Sequence, residues 1–211
     1  MSNITIDSHQ VFPELDLTKV DYTICNSDNP KTGLFLNENP HLINSYLLSC
    51  NENDWAVNFL INNPKYISYN FFSCNNNYLA VNFLINNKQY IDFDYFSINK
   101  NNLAIQFLIN NPKFIFKNWF SQNQNDIAIN FLINNQQYIC WNGFSNNKND
   151  LAVNFLINNP QHISKEIFSL NNNELAVKFL IDNPNYIHNN FKYTDNYLGK
   201  KYINDNPHLF K

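Results

Sequence analysis

Leu79-Ala80-Val81-Asn82-Phe83-Leu84-Ile85-Asn86-Asn87 recurs almost letter for letter as Leu103 to Asn111, Ile127 to Asn135 and Leu151 to Asn159. The copies begin at residues 79, 103, 127 and 151, a period of 24, and Trp55 and Leu175 carry the register outward on both sides. A fixed period of this size marks repeated supersecondary units, each of which hides its apolar face only against its neighbours. It outranks any local motif. The fold class that follows is all-α: an α-solenoid of stacked two-helix repeats with a 24-residue period.

Within one unit, Asn99 to Gln122, two capping asparagines stand twelve residues apart, Asn99 and Asn111. Asn111-Pro112 places a cap residue before a proline at the first helical position, where the missing N–H does no harm. The same pair recurs at Asn39-Pro40, Asn63-Pro64, Asn159-Pro160, Asn183-Pro184 and Asn206-Pro207. Leu103, Phe107 and Leu108 follow the first cap, and Ile115, Trp119 and Phe120 the second, so each set falls on one helical face. The first helix is apolar almost all round, and its repeated Ala (Ala56, Ala80, Ala104, Ala128, Ala152, Ala176) leaves room for close approach. Strand alternation with Gly-rich turns, which a β-propeller or β-helix needs, is missing.

The array degrades at its ends. Residues 31–197 read as the helical repeat array and residues 198–211 as a C-terminal capping half-repeat. There, Leu198-Gly199-Lys200-Lys201-Tyr202-Ile203 puts polar or small residues at three apolar positions. Residues 1–30 read either as an N-terminal cap or as a divergent unit. Polar outer faces suit terminal repeats, because nothing stacks on them.

Asparagine makes up about a fifth of the 211 residues, and all 14 basic residues are Lys. Without Arg there is no bidentate fork for phosphates or guanine edges, and a net charge of −3 is not a basic footprint. Composition therefore argues against a nucleic-acid partner. Mean hydropathy of −0.42 and the lack of any stretch near 18 apolar residues argue against a membrane span, and the first residues carry no secretory signal. Cys25, Cys50, Cys74 and Cys140 read as small fillers in preference to disulfides, since Cys50 and Cys74 share a register position with Ile98 and Leu170. The five His are scattered, so neither a metal nor a cofactor is expected. No nucleophile with a base partner and no Gly-rich phosphate loop is present, which argues against an enzyme. The repeated Ser73, Ser97, Ser121, Ser145 and Ser169 are expected to bond locally at the helix junction.

The pattern Ser-x-Asn-x-x-x-(Leu/Ile)-Ala-(Val/Ile)-x-Phe-Leu-Ile-x-Asn-Pro-x-x-Ile, best seen from Ser97 through Ser121, resembles the Asn-Pro repeats of uncharacterised proteins from giant DNA viruses. The resemblance spans roughly Asn39 to Pro207. It departs from that pattern in having no Pro after the first-helix asparagine (Lys100, Gln124, Lys148, Asn172) and in Lys117 and Lys165, where an aromatic such as Trp141 is usual. The resemblance implies a viral origin and an α-solenoid, and it carries no active site. It also implies a host-cytoplasmic location without secretion.

A binding surface is the remaining candidate. One polar position inside the apolar first helix repeats as Asn58, Asn82, Gln106, Asn130, Asn154 and Lys178. Stacked repeats would align these side chains as a ladder, expected on the concave face, where amides suit the backbone of an extended peptide. The competing reading is a solvated face coloured by composition. One turn earlier, Asp126, Asp150 and Glu174 either make the groove negative or simply favour the helix dipole. Phe93 and Trp141 either anchor a partner or pack between hairpins. The leading expectation is a monomeric, non-enzymatic scaffold for a protein or peptide. The alternatives are a single-stranded nucleic-acid reader and a structural virion component.

Overall fold

The structure, a computed structural model, describes residues 21–210; residues 1–20 of the expected cap or divergent unit over 1–30 lie outside them. Every regular element among the described residues is helical. Contacts divide the chain into two compact units, residues 1–104 and 105–211.

The first unit holds α1 (Thr32–Glu38), α2 (Ser45–Cys50), α3 (Asp54–Asn62), α4 (Tyr69–Ser73), α5 (Tyr78–Asn86) and α6 (Phe93–Ser97). Helix α7 (Asn102–Asn110) spans the division. The second unit holds α8 (Lys117–Gln122), α9 (Asp126–Asn134), α10 (Trp141–Ser145), α11 (Asp150–Asn158), α12 (Lys165–Phe168), α13 (Glu174–Asp182) and α14 (Tyr197–Asp205). Nine-residue helices alternate with helices of four to six residues. Long packs on long (α3 on α5; α9 on α11 on α13 on α14) and short on short (α2 on α4 on α6; α8 on α10 on α12).

The caps differ from the expectation in a way that explains the breaks. The asparagine of the Asn-Pro pairs does precede a proline at the first position of a short 3₁₀ turn, but its side chain does not cap that turn. Asn63 and Asn111 have φ near −130° and ψ near 60°, and their Nδ2 atoms donate backward to the carbonyls of Phe59 (2.9 Å) and Phe107 (2.8 Å). They close the preceding long helix, satisfying one of its orphan carbonyls. Proline disfavours the α conformation in the residue before it, so the stop is steric as well. Asn87 and Asn135 adopt the same backbone before Lys88 and Gln136, so the side-chain bond suffices without proline.

A three-residue 3₁₀ turn such as Pro112–Phe114 follows, and only then the short helix. The expected second helix is therefore broken in two. The true N-caps of the long helices are Asn77, Asn101, Asn125, Asn149, Asn173 and Asn196, whose Oδ1 atoms accept from the amide two residues on.

A helix of five residues is too short to persist alone, since nucleation is costly. Burial holds these. Phe72, Phe96, Phe120, Phe144, Phe168 and Phe191 are fully buried, as are the Ala, Val or Ile and Leu of every long helix but α14, for example Ala152, Val153 and Leu156. The Phe of a short helix meets an aromatic of the following long helix edge to face, as in Phe144–Phe155 at 6.0 Å. Ser97 bonds locally, as expected, its Oγ donating to the Phe93 carbonyl (2.8 Å), but the other repeated serines bond across units of the repeat. Ser49, Ser73, Ser121, Ser145 and Ser169 each accept, at 2.9–3.0 Å, the backbone N–H that opens the next short helix. Cys25 stands in the same register and its Sγ accepts from Asn44 N (3.3 Å), so residues 21–30 share the bonding of the repeat.

At the other end, Gly199 replaces the repeated Ala, because a Cβ there would lie 2.5 Å from Thr194 Cγ2. Lys200 takes the place of the buried Val177 and is exposed.

Candidate interaction surface

Two sets of asparagines, indistinguishable by composition, have opposite fates. The first is buried. Asn75 Nδ2 donates to the carbonyls of Ser49 (2.9 Å) and Asn51 (3.0 Å), 26 and 24 residues earlier, while its Oδ1 accepts from Asn77 N (2.9 Å). Asn51 and Asn99 repeat this in the first unit, and Asn147 and Asn171 in the second. Each amide uses both donors and its acceptor, which is what a buried carboxamide requires. This ladder runs through the turn between short and long helices.

Asn99 had been read as a helix cap like Asn111; it is a rung of this ladder instead. Thr194 ends it. Its hydroxyl accepts from Asn196 N as the amide oxygen does elsewhere, but its single donor goes to Asn172 Oδ1.

The second set is the one singled out in the sequence. Asn58, Asn82, Gln106, Asn130, Asn154 and Lys178 are all exposed, at the middle of one stripe of each long helix. Packing of α3 on α5 brings Asn58 and Asn82 onto adjacent helices at one register. In the second unit, the packing of α9, α11 and α13 does the same for Asn130, Asn154 and Lys178. The side-chain amides of Asn58, Gln106, Asn130 and Asn154 make no intramolecular hydrogen bond, and Asn82 Oδ1 has only a 3.5 Å approach from Asn86.

The acids one turn earlier are engaged within the protein. Asp126 accepts from Asn149 Nδ2 and Asp150 from Asn173 Nδ2, both at 2.7 Å, tying each long helix to the cap of the next. Glu174 pairs with Lys178 at 2.6 Å, an exposed i,i+4 pair of modest strength. Their first duty is bracing, which the sequence pattern did not reveal.

At the variable position on the short helices the aromatic residues pack against neighbouring rings, while Lys117 and Lys165 are exposed. Tyr69 stacks on Tyr90 (4.7 Å) and Tyr90 on Phe83 (6.5 Å); 72 residues on, Trp141 stacks on His162 (3.9 Å) and Phe155 (6.4 Å). Lys165 in the same register lies over Tyr186 at 5.0 Å and donates to Asn185 O (2.8 Å). Trp141 is thus a packing residue. All four cysteines are free thiols. Burial pushes the Cys25, Cys50 and Cys74 thiols up from their ordinary values.

No helix among the described residues is long and apolar enough to cross a membrane. No protein-family model, curated protein or solved structure matches this chain.

Proposed function

We propose that the chain is an α-solenoid of 24-residue repeats that acts as a non-enzymatic scaffold, holding a protein or peptide along the exposed edge of its long helices. The observation that supports this most is that the side-chain amides of Asn58, Gln106, Asn130 and Asn154 are exposed and make no hydrogen bond within the described residues. The asparagines before the long helices, after them and in the turns are used inside the protein, as helix cap, helix stop or buried rung. Within each unit the exposed amides stand at one register on helices that pack side by side, Asn58 with Asn82 and Asn130 with Asn154, and each offers two donors and an acceptor to a polypeptide backbone. On this reading the edge lines the concave face. The Asn-Pro resemblance supports a viral protein working in the host cytoplasm.

The test selects ligands from a random displayed-peptide library and measures their affinity by fluorescence anisotropy. Asn82→Ala, Gln106→Ala and Asn130→Ala combined should weaken binding at least ~10-fold, about 1.4 kcal/mol, with the helical circular dichroism unchanged. Unaltered affinity would remove the ladder from the interface. Salt-dependent binding of mixed-sequence oligonucleotides in its place would overturn the proposal in favour of a nucleic-acid reader.

A further inference from the structure

At one register of the short helices the sequence places Leu47, Phe71 and Tyr95 in the first unit and Trp119, Gly143 and Ile167 in the second. In the first unit the rings touch. Tyr46 meets Phe71 edge-on at 4.4 Å, and Phe71 meets Tyr95 at 5.6 Å. Gly143 carries no side chain at this register. A Cβ there would lie 2.6 Å from the carbonyl oxygen of Asn118 and 3.2 Å from Ser121 Cβ, so α10 sits against α8 at a distance that only glycine permits.

Beside Gly143 lies a notch of about 310 Å³, wholly within the second unit. It is lined by the carboxamides of Asn118, Gln122, Asn142 and Asn146 and by Ile167 and Leu170. That volume is at the lower end of ligand pockets, which run roughly 300–1,000 Å³. Leu170 is 37% exposed.

We infer that this notch receives an aromatic side chain of an uncharged polypeptide segment. Three features select that occupant. The register is one at which the chain itself places rings, and the space suits one ring. No charged residue lines the notch, so a phosphate or a Lys or Arg head would be desolvated without a partner. The rim supplies main-chain partners: the Asn142 side chain is unbonded, and Asn146, which donates to Gln122 Oε1 (3.1 Å), keeps its carbonyl oxygen free. An aromatic anchor in a small pocket ringed by amides is the usual form of a peptide hot spot. The notch is on the short helices and does not rest on the long-helix edge being a binding face.

The experiment titrates the isotopically labelled full chain with the capped tripeptide acetyl-Gly-Trp-Gly-amide and follows side-chain resonances by NMR. The expected result is saturable shifts at the Asn142 and Asn146 amides and the Ile167 and Leu170 methyls, weaker for a Leu tripeptide and lost for a Lys one. Asn142→Ala with Asn146→Ala, both exposed, should weaken binding about 10-fold, two hydrogen bonds' worth. Ile167→Trp, which fills the space, should abolish it. Combined Asn82, Gln106 and Asn130 alanine substitutions should leave it intact, which separates this site from the ladder. No saturable shift, equal shifts with the Lys peptide, unchanged binding in the Asn142/Asn146 variant, or shifts produced by adenosine and not by the peptide would each overturn the inference.

Discussion

Asn147→Ala should be among the most damaging single substitutions in the second unit, although it removes only a small polar group. Asn147 is 1% exposed. Its Nδ2 donates to Ser121 O (3.0 Å) and Asn123 O (2.8 Å), and its Oδ1 accepts from Asn149 N (2.9 Å). Truncation leaves two buried carbonyls and one N–H without these partners, and each unmade group costs ~1–3 kcal/mol. Some relaxation and water entry will offset part, so about 3–5 kcal/mol is expected. That is a large share of the ~5–15 kcal/mol typical of a domain.

Asn130→Ala is the control. Asn130 is exposed, its side chain is unbonded, and alanine is the better helix former, so the change should fall within ~0.5 kcal/mol of zero. Urea unfolding followed at 222 nm compares the two through midpoint and slope. Asn147→Asp sharpens the test by setting a carboxylate against the same two carbonyls. Its folded-state pKa would be raised above the unfolded value, so the variant's stability should be present at acid pH and lost as pH climbs through that raised pKa. A midpoint for Asn147→Ala within about 1 kcal/mol of the parent would refute the ladder as a source of cohesion.

Two further outcomes follow from the packing. Gly143→Ala drives a methyl to 2.6 Å from a backbone oxygen and should cost about 1–3 kcal/mol. Gly33→Ala, whose Cβ would meet Trp55 and Phe59 at an ordinary 3.6 Å, should be neutral or stabilising by up to ~1 kcal/mol. Thermal melts of both variants check the contrast, and equal effects would contradict the close approach of α8 and α10. With their thiols held up by burial, Cys25, Cys50 and Cys74 should alkylate more slowly at pH 8 than an unfolded thiol, and fully buried Cys25 should label only on unfolding. Peptide mass mapping of an iodoacetamide time course reads this, and rapid labelling of Cys25 in native buffer would contradict it.

Asparagine is where reading from sequence ran short. The period made Asn51, Asn58, Asn62 and Asn63 equally conspicuous, and helical spacing identified the apolar faces without difficulty. Spacing also identified Asn58 and its counterparts as the polar position of an apolar helix, and they are exposed. It could not show that Asn51 and its counterparts are enclosed. Their partners lie 24 and 26 residues away, and such a separation means nothing until one repeat is laid against the next. The same limit hid the duty of Ser73 and Ser145, whose partners are 19 residues on. It hid the bracing role of Asp126 and Asp150 as well.

By itself the chain of letters determined helicity, period and core, because apolar side chains at i, i+4 and i+5 have one way to leave water together. Which of many identical amides became glue and which were left facing solvent was decided by tertiary structure alone. A carboxamide has no fixed preference: enclosed beside two bare carbonyls it must bond them, and on an open helix face water serves it as well.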